Sequence, residues 1–237
     1  MGTVNKKTAL IVQHDPTIHL GNLQPVLIER GYDIQILDAR TADFATLSVD
    51  PSLVVVLGND SGVYEKDALP YIAAEEAWLA SRLTAAQPTL GVCFGAQIMA
   101  SALGERVYKG ASTQIGFREV VPTEAGASSP VRHFAGVPVM EWHGDTFDLP
   151  AGATRLAGSS DYANEAFALG SWGLAVQFHP ETTSEMHQRW LDDGRESVVT
   201  LGLDPELLAA EREAHTATME IASQAMLNEF LDGLEKL

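Results

Sequence analysis

Apolar residues come first in short unbroken runs and then in helical stripes. Thr8–Val12 and Leu53–Leu57 are continuous apolar segments, and Asp33–Leu37 alternates apolar with polar. Pro88–Val92 repeats the first kind of pattern. Unbroken β-branched runs of this length suit strands buried on both faces of a parallel sheet. Between them the spacing predicts helices. One covers Leu20–Arg30 and closes at Gly31. A longer one covers Ala68–Ala85, with Leu69, Ile72, Leu79 and Leu83 on one face and Pro70 in the first turn, where a missing N–H costs little. A third covers Ala96–Leu103. Strand–helix alternation predicts an α/β domain with a mostly parallel sheet, whose ligands lie beyond the carboxyl ends of its strands.

From Arg106 to Gln177 the helical period disappears. Short strands are expected at Arg118–Val121, Val137–Trp142, Arg155–Ser159, Ala166–Leu169 and Leu174–Phe178. They predict an extension of the sheet plus a small antiparallel layer. From Glu185 onward the pattern is helical again. Met219, Ala222, Met226, Phe230 and Leu234 form an apolar stripe, which predicts a C-terminal helix packed on the domain. The expected organisation is one domain over residues 1–184 and a helical extension over 185–237 packed on it.

Charge and cysteine count narrow the function. A formal net charge of −17 repels phosphate backbones and argues against nucleic acid as a partner. The longest apolar run is far below the about 20 residues that span a bilayer, so no membrane partner is expected. The N-terminal residues Met1–Lys7 are polar, with no signal core after them. One cysteine excludes an intramolecular disulfide and fits a reducing compartment, so the expected location is cytoplasmic.

That cysteine carries the chemistry. In Thr89-Leu-Gly-Val-Cys-Phe-Gly-Ala-Gln97 it lies between a predicted strand and a predicted helix, with glycine two residues away on each side. This is a nucleophile elbow with cysteine in place of serine. Gly91 and Gly95 remove Cβ atoms from a sharp turn. The following helix start offers free N–H groups that favour thiolate and can receive an oxyanion.

A cysteine nucleophile needs a base. His179 follows the strand in Gly173-Leu-Ala-Val-Gln-Phe-His-Pro-Glu181. Glu181 lies two residues on, hence on the same side of an extended chain, and can fix the imidazole. His143, in Glu141-Trp-His-Gly-Asp145, is the rival base, expected after a short strand with Gly144-Asp145 as a turn. His14 and His19 have metal-ligand chemistry but no second ligand cluster in the sequence, so no metal is expected.

Three segments, Gly91–Gln97, His143–Asp145 and Gln177–Glu181, resemble the class I glutamine amidotransferase domain, from about Thr8 to Thr183. The likeness is greatest to stand-alone domains similar to the glutaminase part of GMP synthase. The resemblance implies a flavodoxin-like sheet flanked by helices and a Cys93–His179–Glu181 triad. It also implies attack on the side-chain amide of glutamine through a γ-glutamyl thioester, with no cofactor. Gly58 and Asn59 would occupy the family's oxyanion loop, Phe94 would give a second oxyanion N–H, and Gln97 would contact glutamine.

The loop departs from the family's Gly-Gly-Pro: it reads Gly58-Asn59-Asp60, and Asp60 brings a negative charge near the pocket. Asn59 is compatible with positive φ, which would let its N–H point correctly. Asp60, His143 and Asp145 are expected near the site without an assigned role. The tail shows no ATP-binding Ser-Gly-Gly loop, so this chain is not expected to make GMP by itself. The implied partner is a synthetase receiving ammonia. A free-standing γ-glutamyl hydrolase or peptidase, and a catalytically weak regulatory or binding subunit, are the alternatives.

Overall fold

The computed structural model describes residues 7–47 and 50–236. Five parallel strands form the centre of the sheet: β1 (Thr8–Gln13), β2 (Asp33–Asp38), β3 (Leu53–Val56), β4 (Thr89–Val92) and, from much later in the chain, the strand Gly173–Val176. The helices that connect or cover them are α1 (Gln24–Glu29), α2 (Pro70–Thr84) and α3 (Phe94–Ala102). Pro70 is the first residue of α2, where its lost donor is harmless.

Two long strands follow, β5 (Val107–Arg118) and β7 (Val139–Phe147), separated by the short β6 (Val121–Pro122). β5 and β7 form their own antiparallel ribbon, with an irregularity between Lys109 and Gln114. β8 (Thr154–Gly158), β9 (Ala166–Leu169) and β10 (Gly173–Val176) return to the main sheet. Its order is β2-β1-β3-β4-β10-β9-β8-β6, with the last three strands antiparallel.

The central strands explain the apolar runs. Leu53, Val55 and Leu57 pack on one face with Val26 and Leu27 of α1. Val54 and Val56 pack on the other with Ile72, Leu79 and Leu83 of α2. Both faces are covered, so alternation between apolar and polar is suppressed.

The tail forms α4 (Ser184–Asp193), α5 (Arg195–Thr200) and α6 (Pro205–Leu234). Met219, Ala222, Met226 and Phe230 join the core of the α1 face, and Leu234 packs against it. Among the described residues no helix is long and apolar enough to cross a membrane.

Three expectations change. β5 runs through Val107–Phe117, where no strand is evident from pattern, and the expected strand Arg118–Val121 straddles the junction of β5 and β6. The first half of β5 has mostly exposed side chains, so ribbon pairing rather than burial holds it extended. Gly144-Asp145 is not a turn: it lies inside β7, where Asp145 pairs with Lys109 and His143 with Gln114. α3 begins at Phe94, immediately after Cys93, rather than at Ala96.

Candidate active site

Cys93 ends β4 and precedes α3. Its φ of 53° and ψ of −107° place a non-glycine residue in a region that costs about 1–3 kcal/mol. The neighbouring glycines make this turn possible. A Cβ on Gly95 would lie 2.1 Å from the Val56 carbonyl oxygen, and one on Gly91 would lie 2.6 Å from the Gly95 carbonyl oxygen. α3 therefore docks backbone to backbone against β3. The Cys93 amide donates to the Val176 carbonyl of β10 at 2.9 Å, tying the elbow to the strand that leads to His179.

His179 lies just past β10, and its amide donates to Met140 of β7 at 2.8 Å. Its Nδ1 is 2.7 Å from Glu181 Oε1, and Glu181 is fully buried. Burial works against a charged imidazole. The Glu181 carboxylate and the adjacent Cys93 sulfur outweigh it and hold the His179 pKa well above its ordinary value. Glu181 thus occupies one ring nitrogen while the ring also meets the sulfur. Trp190 of α4 covers the imidazole edge to face, with centroids 5.0 Å apart.

The His-Pro-Glu segment is clamped from the loop after β1. Asn22 donates through its amide N–H to the Glu181 carbonyl at 2.9 Å and through Nδ2 to the Thr182 carbonyl at 2.7 Å. Gly21 has φ +42°, and a Cβ there would lie 1.9 Å from the same Glu181 carbonyl oxygen. His14 and His19 serve this region separately. Buried His14 meets Glu75 Oε2 at 2.8 Å and the Gly58 carbonyl at 3.2 Å, while exposed His19 accepts from the Gly21 amide at 3.1 Å.

Cys93 and His179 open into a cleft of about 640 Å³, shared with Asn59 and Asp60. Asp60 is exposed at the edge; partial desolvation and then the nearby Asp15 charge raise its pKa. Neither Gly58 nor Asn59 has positive φ, so the left-handed conformation considered for Asn59 is not used. Asn59 instead donates to the Tyr71 hydroxyl at 3.0 Å. Phe94 is buried at the start of α3, where the first amides have no intrahelical acceptor.

Gln97 does not line the cleft. Its Nε2 donates to Gln177 Oε1 at 3.1 Å, and Gln177 Nε2 donates to Cys93 Sγ at 3.5 Å. Gln177 was hidden in the motif beside His179. Its place just after β10 gives no hint that its side chain reaches the sulfur. Trp142, Arg189, Trp190 and Asp193 also line the cleft, three of them from α4.

His143 has both ring nitrogens engaged away from this cleft, with Asp145 O at 2.9 Å and with Gln114 Oε1 and Glu141 Oε2 each at 3.1 Å. Burial opposes its charge, but Glu141, then Cys93 and Glu165, push its pKa up to about 9. Burial and the Glu141 charge push Glu165 up to about 8. The Asp145 side chain accepts from the Tyr64 hydroxyl at 3.4 Å.

A strained cysteine at a strand-to-helix elbow thus shares one cleft with a histidine held by a buried glutamate. The sequence model of the glutamine amidotransferase class-I family matches residues 20–196.

The chain belongs to the class-I glutamine amidotransferase family.

The chain is 30% identical over 163 residues to the glutamine amidotransferase-like protein YfeJ of Salmonella typhimurium, covering 66% of this chain and 68% of the relative. It is 35% identical over 138 residues to the glutamine-hydrolysing GMP synthase of Thermomicrobium roseum, covering 56% of this chain and 24% of the relative. It therefore spans about a quarter of the length of the GMP synthases it matches. The crystal structure of a glutamine amidotransferase from Thermotoga maritima superposes with a TM-score of 0.86 at 29% identity, over 96% of this chain and 99% of that one.

Proposed function

We propose that this chain is a glutaminase acting through Cys93, His179 and Glu181, with the ammonia passed to a synthetase. The observation that carries the reading is the buried 2.7 Å contact between Glu181 and His179, on a ring that also meets the Cys93 sulfur. The Cys93 thiolate attacks the side-chain amide carbon of glutamine, and a C–S bond forms. The developing oxyanion is received by the Phe94 amide and by the amides of the Gly58–Asn59 loop. His179 gives its proton to the leaving nitrogen, and ammonia departs. Water then loses a proton to His179 and attacks the γ-glutamyl thioester. Glutamate leaves, and the thiolate is restored.

Recognition of a free amino acid fits the lining of the cleft, which includes Asp15, Asp60 and Asp193 together with Arg40 and Arg189. Such a mixture supplies partners for both an ammonium and a carboxylate. The GMP synthases that the chain resembles are glutamine-hydrolysing, which supports glutamine as the substrate here. A second reading draws on the cleft volume of about 640 Å³, which exceeds one glutamine side chain and leaves room for a substituted γ-amide. Under it, the same thioester chemistry releases an amine or peptide.

The test is glutamate release from glutamine by the purified chain, alone and with cell extract, beside turnover of γ-glutamyl peptides. A glutamine-like diazoketone should label Cys93 stoichiometrically. Full hydrolysis by Cys93→Ala would sink both readings. Robust turnover of γ-glutamyl peptides without extract would favour the second.

A further inference from the structure

Behind the cleft, β5, β7 and the residue before β9 bring four donor atoms together. Glu141 and His143 are two apart on β7 and share a face; Gln114 is opposite His143 on β5; Glu165 immediately precedes Ala166. His143 Nε2 lies 3.1 Å from Gln114 Oε1, 3.1 Å from Glu141 Oε2 and 4.0 Å from Glu165 Oε2. One donor atom each from Glu141, His143 and Glu165 fall within 4.8 Å of one another. None of the four side chains is among those lining the cleft of Cys93 and His179.

Every orientation in this group is fixed from outside it. The Asp145 carbonyl can only accept, so His143 Nδ1 carries a hydrogen; a cation would displace the second proton, which the raised pKa holds on Nε2, and take the lone pair there. Gln114 Nε2 donates to Asp161 Oδ2 at 3.1 Å, and a carboxylate cannot take the amide the other way round, so Oε1 faces inward. The Ser159 hydroxyl donates to Glu165 Oε1 at 2.6 Å, leaving Oε2 directed at the group. Glu141 and Glu165 are fully buried, and among the described residues both oxygens of Glu141 and Oε2 of Glu165 make no hydrogen bond. Four acceptors thus converge, with two buried carboxylates whose ion-pair contacts among the described residues are to His143 alone.

We propose that Gln114, Glu141, His143 and Glu165 form a binding site for a divalent first-row transition cation, with zinc as the best match. Four donors at tetrahedral angles around zinc, with bonds of about 2.0–2.2 Å, stand about 3.3–3.5 Å apart, which the separations here bracket. Calcium takes about 6–8 oxygens and magnesium a nearly ideal octahedron, so four donors including an imidazole select against both. Two carboxylates and a dication cancel in charge. The Asp145 carbonyl, Ser159 and Asp161 act as the outer partners that orient metal ligands. The cation would pin the ribbon of β5 and β7 to the edge of the main sheet.

The test uses the full chain, stripped with a chelator, in a Cys93→Ala background so that the active-site thiol cannot trap metal. Equilibrium dialysis against Zn²⁺ alone should retain one equivalent and raise the melting temperature. Co²⁺ alone should give visible bands of four-coordinate intensity without a thiolate charge-transfer band. Glu165→Gln should weaken Zn²⁺ affinity by roughly 100-fold, and Ser159→Ala, which keeps all four donors, by about tenfold. Circular dichroism confirms that each variant is folded; if Glu165→Gln is not, Ser159→Ala decides. No retained equivalent in the Cys93→Ala chain overturns the site, as does parental affinity in the folded variants.

Discussion

Gln177 donates its side-chain amide to the Cys93 sulfur at 3.5 Å while accepting from Gln97 on the other side. The segment that delivers His179 therefore also delivers a donor to the Cys93 sulfur. A hydrogen bond to sulfur favours thiolate over thiol. Gln177→Met keeps the volume and removes the donor. The rate of Cys93 alkylation by iodoacetamide at neutral pH should fall, and kcat/KM for glutamine should fall about tenfold. An unchanged alkylation rate would show that Gln177 only fills space.

Glu181 holds the pKa of His179 above its ordinary value, so the protonated ring persists to higher pH. The raised pKa adds stability that is fully present below about pH 6.5 and is lost as pH rises through the folded value. Glu181→Gln removes the charge. The alkaline limb of the kcat profile should move to lower pH, and kcat should drop roughly 10²–10⁴-fold. A profile with an unmoved alkaline limb would argue against His179 as the proton donor.

Gly95 has no room for a methyl group, because its Cβ would stand 2.1 Å from the Val56 carbonyl. Gly95→Ala must push α3 away from β3. Overpacking of this kind costs typically about 1–3 kcal/mol, and a rigid backbone contact belongs at the upper end. Urea unfolding should show that loss. The displaced elbow should also lose most diazoketone labelling at concentrations where the variant is still folded.

His187 of α4 is fully buried between Phe117 and Trp142, and among the described residues neither ring nitrogen has a partner. Burial, helped by the Arg212 charge, pushes its pKa down to about 4. Between about pH 6.5 and 4 the unfolded chain binds a proton that the folded chain refuses, so stability falls as pH falls through this window. Thermal melts of His187→Phe should depend less on pH across it than the parent, and the variant should be at least as stable at pH 5. Parallel pH dependence in the two proteins would refute the assignment.

Much of this architecture is legible in one dimension. Leu53–Leu57 announces a strand covered on both faces because its neighbours in sequence already meet that requirement. Gly91, Cys93 and Gly95 announce an elbow because a tight turn imposes local steric limits. Glu181 finds His179 because two residues of extended chain bring them to one side. The apolar stripe of α6 is likewise a local periodicity. β5 was not legible, because its first half is held by pairing with β7 rather than by burial. His143 was misplaced for the same reason: Gly144-Asp145 reads as a turn until a partner strand supplies hydrogen bonds.

The sequence by itself determined the sheet class, the elbow at Cys93 and the pairing of His179 with Glu181, since each depends on contacts within a few residues. Tertiary structure alone decided that Gln177 reaches the sulfur, that Asn22 clamps the Glu181 backbone and that Trp190 covers His179. It alone also gathered Gln114, Glu141, His143 and Glu165 into one group. Those relationships join segments as far apart in the chain as Asn22 and Glu181, 159 positions. They come from strand order and register, which are set by packing the whole sheet and leave no periodic trace along the chain.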